Sequence, residues 1–419
     1  MNPVAMNDQE RGEKLAERVV IVGAGHAGGT AAALLRQYGF EGSIVLAGEE
    51  PVAPYQRPPL SKAWLKGEAD SESLLLRPVS FYPEHNIDLR LGVVATAIDR
   101  TAKTVTFKDG EALPYDRLIL ATGAGPRHLP VRGAELRRVL YLRTAADADA
   151  LKAVLKRGRR LAVVGGGYVG LEVAASARAL GCEVVVIERE ARVLARVASK
   201  PLSAFFERYH AEKGVEIVLG AAVTGFRGEN IVTGVALHGE VQACDVALVG
   251  IGAAPNIALA RDAGLSCADG VVVDLEARTS DPDIFAIGDV THRPLPLYDR
   301  AMRLESVPNA LEQAKQAAAA ISGHAPPAPE VPWFWSDQYD LKLQIAGAPF
   351  DADSLVIRGD PATNSFAVFH LAGNRLMAVE AVNAAAEFMG GRQLIGKRAE
   401  VDPAKLADTA IPMKQIAAG

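Results

Sequence analysis

Cysteine is scarce in this chain, and no two cysteines lie close enough in sequence to act together. Only three of the 419 residues are cysteine, Cys182, Cys244 and Cys267. They form no CxxC pair and cannot build a disulfide framework, which reads as small buried hydrophobes in a reducing compartment. Long apolar runs are also missing. The first apolar run follows an acid-containing start, MNPVAMNDQERGEKLAE, and is broken at once by glycines, so neither a secretory signal nor a membrane span is expected and the cytoplasm is the default location. Charge of one sign is not in excess either. With 45 basic and 50 acidic side chains the formal charge is -5, which gives no field to draw the chain to nucleic acid or to an anionic bilayer. No metal ligands are assigned. Small molecules and proteins remain as the expected partners.

What the chain does have is length for two or three domains and a motif that occurs twice. Residues 18 to 23, RVVIVG, are β-rich and run into GAGHAGGTAAALLRQYG, a helix-forming stretch that stops at Gly39; a second β run covers 43 to 47 and ends at Gly48-Glu49. Strand, glycine turn, helix and strand make a parallel βαβ unit. The pattern returns from Arg160 to Glu190 as RLAVVGGGYVGLEVAASARALG and CEVVVIERE. A repeated mononucleotide-binding unit points to two nucleotide sites. In the first, Gly23 allows the tight turn, Gly25 lets the backbone approach a pyrophosphate, and Gly28 lets helix and strand pack closely, while Glu49 is placed to accept hydrogen bonds from a ribose. Gly165, Gly167, Gly170 and Glu188 repeat the arrangement. Spacing alone leaves open which nucleotide occupies which site.

Between the copies, residues 103 to 107, the turn Asp109-Gly110 and YDRLILATGA read as a β-hairpin and a strand ending in glycine. Residues 217 to 247 are again β-rich with turns. DPDIFAIGDV gives a short strand ending at Gly288-Asp289, and GHAPPAPEVP, 323 to 332, is a stiff boundary with four prolines. Beyond it, LKLQIAG, SLVIRG, SFAVFHL and RLMAVEAV, with a turn at Gly373-Asn374, read as antiparallel strands, and 383 to 389 as a helix. The expected division is a first nucleotide domain from 15 to 125 that resumes at 246 to 324, a second from 126 to 245, and a C-terminal α+β domain from 325 to 419.

In the order of its motifs the chain resembles the pyridine nucleotide-disulfide oxidoreductase superfamily, and within it the ferredoxin reductases that serve bacterial monooxygenases and dioxygenases. The resemblance runs from about Arg18 to Gly419 and is most specific at PYQRPPLSKAWL, ATGA, GGGYVGLEVAA, FAIGDV, RLESVPNALEQA and PWFWSDQYDLKLQIAG. It implies an α/β fold of two Rossmann-like, glutathione reductase-like domains with a C-terminal α+β domain. It further implies FAD at the first motif, with Gly23, Gly25, Gly28, Glu49, Arg57, Lys62, Thr122, Gly123 and Asp289 along it. Glu305, Ser306, Val307 and Trp335 would border the isoalloxazine. NADH would lie at Gly165, Gly167, Gly170, Glu188 and Arg189, where Arg189 is the residue that could tolerate NADPH. Lys62 and Glu172 would form a charge pair beside flavin N5. The ordinary alternatives are a surface ion pair for Arg57, core packing for Trp335, and two surface charges for Lys62 and Glu172.

Disulfide-reducing cousins need a thiol pair beside the flavin, which this chain lacks, so two-electron input from NADH with one-electron output to a [2Fe-2S] ferredoxin is the fitting chemistry. A cytoplasmic monomer is expected. The alternatives are a rubredoxin reductase, another NADH dehydrogenase-like flavoprotein, or a flavin-bearing interaction protein. Arg300, Arg303 and Lys342 are expected to form a basic patch for an acidic partner.

Overall fold

A computed structural model describes residues 17–418. β1 (Arg18–Val22) is, after Arg18, a run of β-branched residues buried on both faces, as a central parallel strand must be. It leads through Gly23–Gly25 into α1 (His26–Gln37), whose alanine-rich face packs on the sheet, and then into β2 (Ser43–Gly48). The first sheet has five parallel strands in the order Ile284–Ala286, Arg117–Leu120, β1, β2, Ile87–Leu91. The second repeats this plan with β3 (Arg160–Val164), α2 (Tyr168–Ala179) and β4 (Glu183–Ile187), in the order Val215–Val218, β4, β3, Val246–Val249, Val139–Leu140. In both sheets the motif strand is central, so the glycine turn opens at the carboxyl end of the sheet, where ligands bind in such folds.

Strand Val246–Val249 hydrogen-bonds to β3, so the chain returns to the first domain after residue 249 and not at 246. A short antiparallel pair, Ala124–Pro126 with Ala253–Pro255, carries both crossings. Three-stranded antiparallel sheets are added to each nucleotide domain, at 95–114 and at 225–243, and the expected Asp109-Gly110 turn closes with Gly110 at φ +92°.

α3 (Lys200–Glu212) covers the second sheet, and α4 (Val307–Ile321) packs beside α1 on the first. The C-terminal domain is one antiparallel sheet in the order β5 (Trp333–Gln338), Leu341–Gly347, β6 (Arg375–Val382), Ser365–Ala372, Ser354–Asp360. Its helix covers Ala385–Gly396, starting later and running further than 383 to 389. Gly390 and Gly391 do not end it because they serve packing: a Cβ on Gly391 would lie 2.7 Å from Val379 Cγ1, and one on Gly390 2.9 Å from Met413 Cβ. No helix among the described residues is long and apolar enough to cross a membrane.

Candidate functional site

A cleft of about 1750 Å³ joins the two glycine motifs. The three glycines of each motif have distinct reasons to be glycine. Gly23 holds φ +111°, and a Cβ there would sit 2.2 Å from the Ala121 carbonyl oxygen; one on Gly28 would sit 2.0 Å from the Gly23 carbonyl oxygen. A Cβ on Gly25 would meet nothing within 4 Å, because that position faces the open cleft. The second motif repeats this: Gly165 and Gly170 are fixed by backbone contacts at 2.4 and 2.2 Å, and Gly167 faces open space. α1 and α2 both begin on such a glycine, with no side-chain cap and no acid in the first turn, so their leading N–H groups and positive dipole ends are available to an anion. His26, the first residue of α1, is held below its ordinary pKa by burial, with Asp289 opposing and Arg57 reinforcing the shift. Its buried Nδ1 has no partner among the described residues. An open cradle, a bare helix end and an orphaned buried nitrogen in one place fit a dinucleotide pyrophosphate.

Around the first cradle, Glu49 is exposed at the end of β2, while its neighbour Glu50 binds Arg57 at 2.6 Å. Arg57 also donates to the Arg143 carbonyl at 2.6 Å, so it bridges two segments and is no free surface pair. Asp289 takes an ion pair from Arg143 at 2.9 Å. Thr122 and Asn256 exchange side-chain to backbone bonds, each 2.9 Å, and Asn256 N donates to the Gly123 carbonyl, which locks the crossing beneath the cleft. Ser306 caps α4 by accepting from Asn309 N, which brings Val307 and the helix end to the cleft. Glu305 is engaged by Arg303. Trp335 is half-buried, lines the cleft and lies 5.7 Å from Trp333, so it is a wall residue and not core.

At the second cradle, the Glu188 carboxylate accepts from Gly166 N at 2.7 Å and Glu190 N at 2.8 Å, which aims it into the cleft. Arg189 is 76% exposed and pairs with Glu190.

Where the domains meet, Lys62 Nζ lies 2.7 Å from Glu172 Oε2. Glu172 is only 5% exposed. A carboxylate this buried would be strongly destabilising without a cation and further donors. It has both: Ser61 Oγ donates to Oε2 at 2.5 Å and Ser336 Oγ to Oε1 at 2.6 Å. The sequence reading named Lys62 and Glu172 but missed the two serines, each adjacent to a residue it did name. It also missed Arg143, Glu50 and His26. The signal for His26 was its place inside the glycine motif. Arg143 and Glu50 had none before tertiary contacts were known.

The three thiols lie away from the cleft, and burial raises the pKa of each, that of Cys244 to about 12. The expected basic patch is different from its expectation. Arg300 binds both carboxylate oxygens of Asp351 at 2.7 Å, Arg303 is held between Glu305 and Asp269, and Lys342 stands opposite Asp337 across the sheet. Arg300 and Arg303 are thus paired with acids, while Lys342 has Asp337 opposite it only in the strand register.

Residues 17–314 match the family model of the pyridine nucleotide-disulphide oxidoreductases, and residues 333–417 that of the reductase C-terminal domain. The chain belongs to the pyridine nucleotide-disulphide oxidoreductase family. As a member it is an FAD-dependent oxidoreductase that uses NAD(H). It is 52% identical over 404 residues to a probable ferredoxin reductase of Castellaniella defragrans, covering 96% of this chain and 99% of that protein. To putidaredoxin reductase of Pseudomonas putida it is 45% identical, covering 96% and 97%. The crystal structure of the covalent putidaredoxin reductase-putidaredoxin complex superposes with a TM-score of 0.94 at 45% identity, over 96% of this chain and 98% of that one.

Proposed function

We propose that this chain is a cytoplasmic, monomeric NADH-dependent ferredoxin reductase that passes electrons to a small [2Fe-2S] ferredoxin serving an oxygenase. The observation that carries the reading is the buried Lys62–Glu172 pair at the junction of two pyrophosphate cradles, with no thiol among the described residues that line the cleft. Bound FAD would supply two-electron acceptance from the nicotinamide and one-electron release to an iron-sulfur partner. The protein supplies orientation and charge. Gly23, Gly25 and Gly28 with α1 hold the FAD diphosphate, Glu49 its ribose, and Arg57, Thr122, Gly123 and Asp289 the middle of the cofactor. Glu305, Ser306, Val307 and Trp335 border its ring. Gly165, Gly167, Gly170 and Glu188 hold NADH, and Lys62 with Glu172 fixes the charge beside the reacting ring.

Anaerobic NADH titration of the purified protein, followed by addition of [2Fe-2S] ferredoxins and of rubredoxin, tests the reading. Visible flavin bands should bleach with one equivalent of NADH, and a ferredoxin should reoxidise the protein rapidly. Fast turnover with rubredoxin alone would move the acceptor to that class. Bleaching without transfer to either would remove the reductase assignment. Lys62→Met should slow flavin reduction in rapid mixing far more than it weakens NADH binding.

A further inference from the structure

The Glu172 carboxylate is a meeting point of all three domains. Ser61 and Lys62 reach it from the first nucleotide domain, α2 carries it from the second, and Ser336 reaches it from β5 of the C-terminal domain. Behind Ser336 the polar contacts continue inward. Gln338 Nε2 donates to Ser336 Oγ at 3.2 Å, Gln338 Oε1 faces His210 Nε2 at 2.8 Å, and Tyr339 Oη lies 3.4 Å from His210 Nδ1.

The direction of this chain can be worked out from its ends. A carboxylate only accepts, so the Ser336 hydroxyl hydrogen points to Glu172 and its oxygen is left to accept. Gln338 must then turn its amide NH2 toward Ser336 and its carbonyl toward His210, which puts the imidazole hydrogen on Nε2 and leaves Nδ1 to accept from Tyr339. Burial lowers the His210 pKa to about 4, so the ring is neutral at ordinary pH, as this tautomer requires. Every donor points the same way, toward Glu172, and bonds aligned in this sense strengthen one another.

Ser336 and Gln338 are both 1% exposed and lie on the same face of β5, two residues apart, beside an apolar cluster containing Leu341, Leu343 and Phe366. Polar side chains at such positions are destabilising relative to apolar ones unless their bonds are all made. The bonds made here end at the carboxylate that anchors Lys62, whose other contacts are the Pro58 carbonyl at 3.1 Å and Ser61 Oγ at 3.4 Å.

We propose that Ser336 is a positioning residue for the Lys62–Glu172 pair, with Gln338 and His210 fixing its hydroxyl direction, so that the C-terminal domain sets the geometry of the hydride step. This rests on the role given to Lys62 and Glu172 above. The test uses the FAD-loaded protein in three variants, Ser336→Ala, Ser336→Thr and Gln338→Leu, beside Lys62→Met. Rapid mixing gives the limiting rate of flavin reduction and the apparent NADH affinity, and redox titration gives the flavin midpoint potential. Ser336→Ala should lower the limiting rate about fivefold to tenfold, leave NADH affinity within about twofold, and move the midpoint potential to a more negative value. Ser336→Thr keeps the hydroxyl and should restore both. Gln338→Leu, one bond further away, should show the same signs at smaller size, and it carries the test should Ser336→Ala fail to retain FAD. If Lys62→Met slows reduction while Ser336→Ala and Gln338→Leu match the parent in rate and potential, the positioning role is wrong and the function reading stands. Slowing that Ser336→Thr does not rescue, at unchanged potential, also overturns it. If Lys62→Met itself reduces at the parental rate, the underlying site reading fails.

Discussion

Single residues separate ligand-driven from fold-driven demands most clearly at the glycines. Gly25 has ordinary backbone angles and open space beyond its missing Cβ, whereas a Cβ on Gly28 would overlap backbone at 2.0 Å. Gly25→Val should therefore abolish FAD retention while the apoprotein keeps the parent's thermal stability; Gly28→Ala should lower that stability itself. Flavin stoichiometry and apoprotein melting check this, and full FAD occupancy in Gly25→Val would remove the first cradle as the FAD site. The cofactor choice at the second cradle also lives on one side chain. The Glu188 carboxylate is fixed by two backbone N–H groups at the cleft; on the proposed reading it would accept from the adenine ribose, and a 2′-phosphate there would meet like charge. Arg189, engaged by Glu190, does not neutralise it. kcat/KM should favour NADH over NADPH by roughly a hundredfold, the scale of a like-charge contact, and Glu188→Ala should narrow that ratio. Parity in the parent would show that Arg189 controls the pocket.

At the scale of elements, α3 is held at both ends by the C-terminal domain. Glu380 of β6 accepts from Ser199 N at 2.8 Å and Ser199 Oγ at 2.5 Å at the helix start, and His210 meets Gln338 near its end. His210 has consequences for stability against pH. Its pKa is about 4 in the folded protein against an ordinary 6.5, so below pH 6.5 the unfolded chain takes up a proton that the folded chain refuses. Its contribution is full above pH 6.5 and declines as pH falls toward 4. Between pH 7.5 and pH 5 this amounts to about 2 kcal/mol. His210→Gln should lose correspondingly less stability over that interval in urea denaturation, and equal losses in parent and variant would contradict the buried neutral ring.

Elements were also where the sequence was most and least legible. The two βαβ units could be read because glycine spacing and β-branched runs are local properties. The placement of Val246–Val249 could not, since a short apolar strand says nothing about which sheet it joins. The Lys62–Glu172 pair was reachable only through resemblance, as its members are 110 positions apart in sequence, and Ser336 looked like any strand serine until three domains closed around it. Arg300 misled for the same reason, since its acidic partner Asp351 is distant in sequence; Arg303 has one such partner, Asp269, and a near one, Glu305, only two residues on.

For the whole molecule, the decisive feature is that the hydrophobic cores do not follow the domain boundaries. One cluster combines Leu202, Phe205 and Phe206 of α3 with Leu343 and Phe366 of the C-terminal sheet, and Leu65 from the first nucleotide domain. Another places Leu295 and Tyr298, from the first domain's second segment, among C-terminal residues, where Tyr298 Oη donates to the Met377 carbonyl and accepts from Ala348 N. The C-terminal domain thus shares its core with both nucleotide domains, and cooperative unfolding is the expected consequence. Phe206 is fully buried at the shared cluster, with Phe205 5.4 Å away edge-on. Phe206→Ala removes a large ring from a packed site and should cost about 3–5 kcal/mol. Because that site belongs to two domains and touches the third, unfolding should remain a single transition at lower temperature, with flavin release, loss of helical signal and the calorimetric peak moving together. Independent domains would behave differently: the second and C-terminal domains would melt early while FAD stayed bound to the first until the parental temperature. Flavin fluorescence recorded alongside circular dichroism in one thermal scan distinguishes the two, and a gap between the curves in the variant would refute the shared-core account.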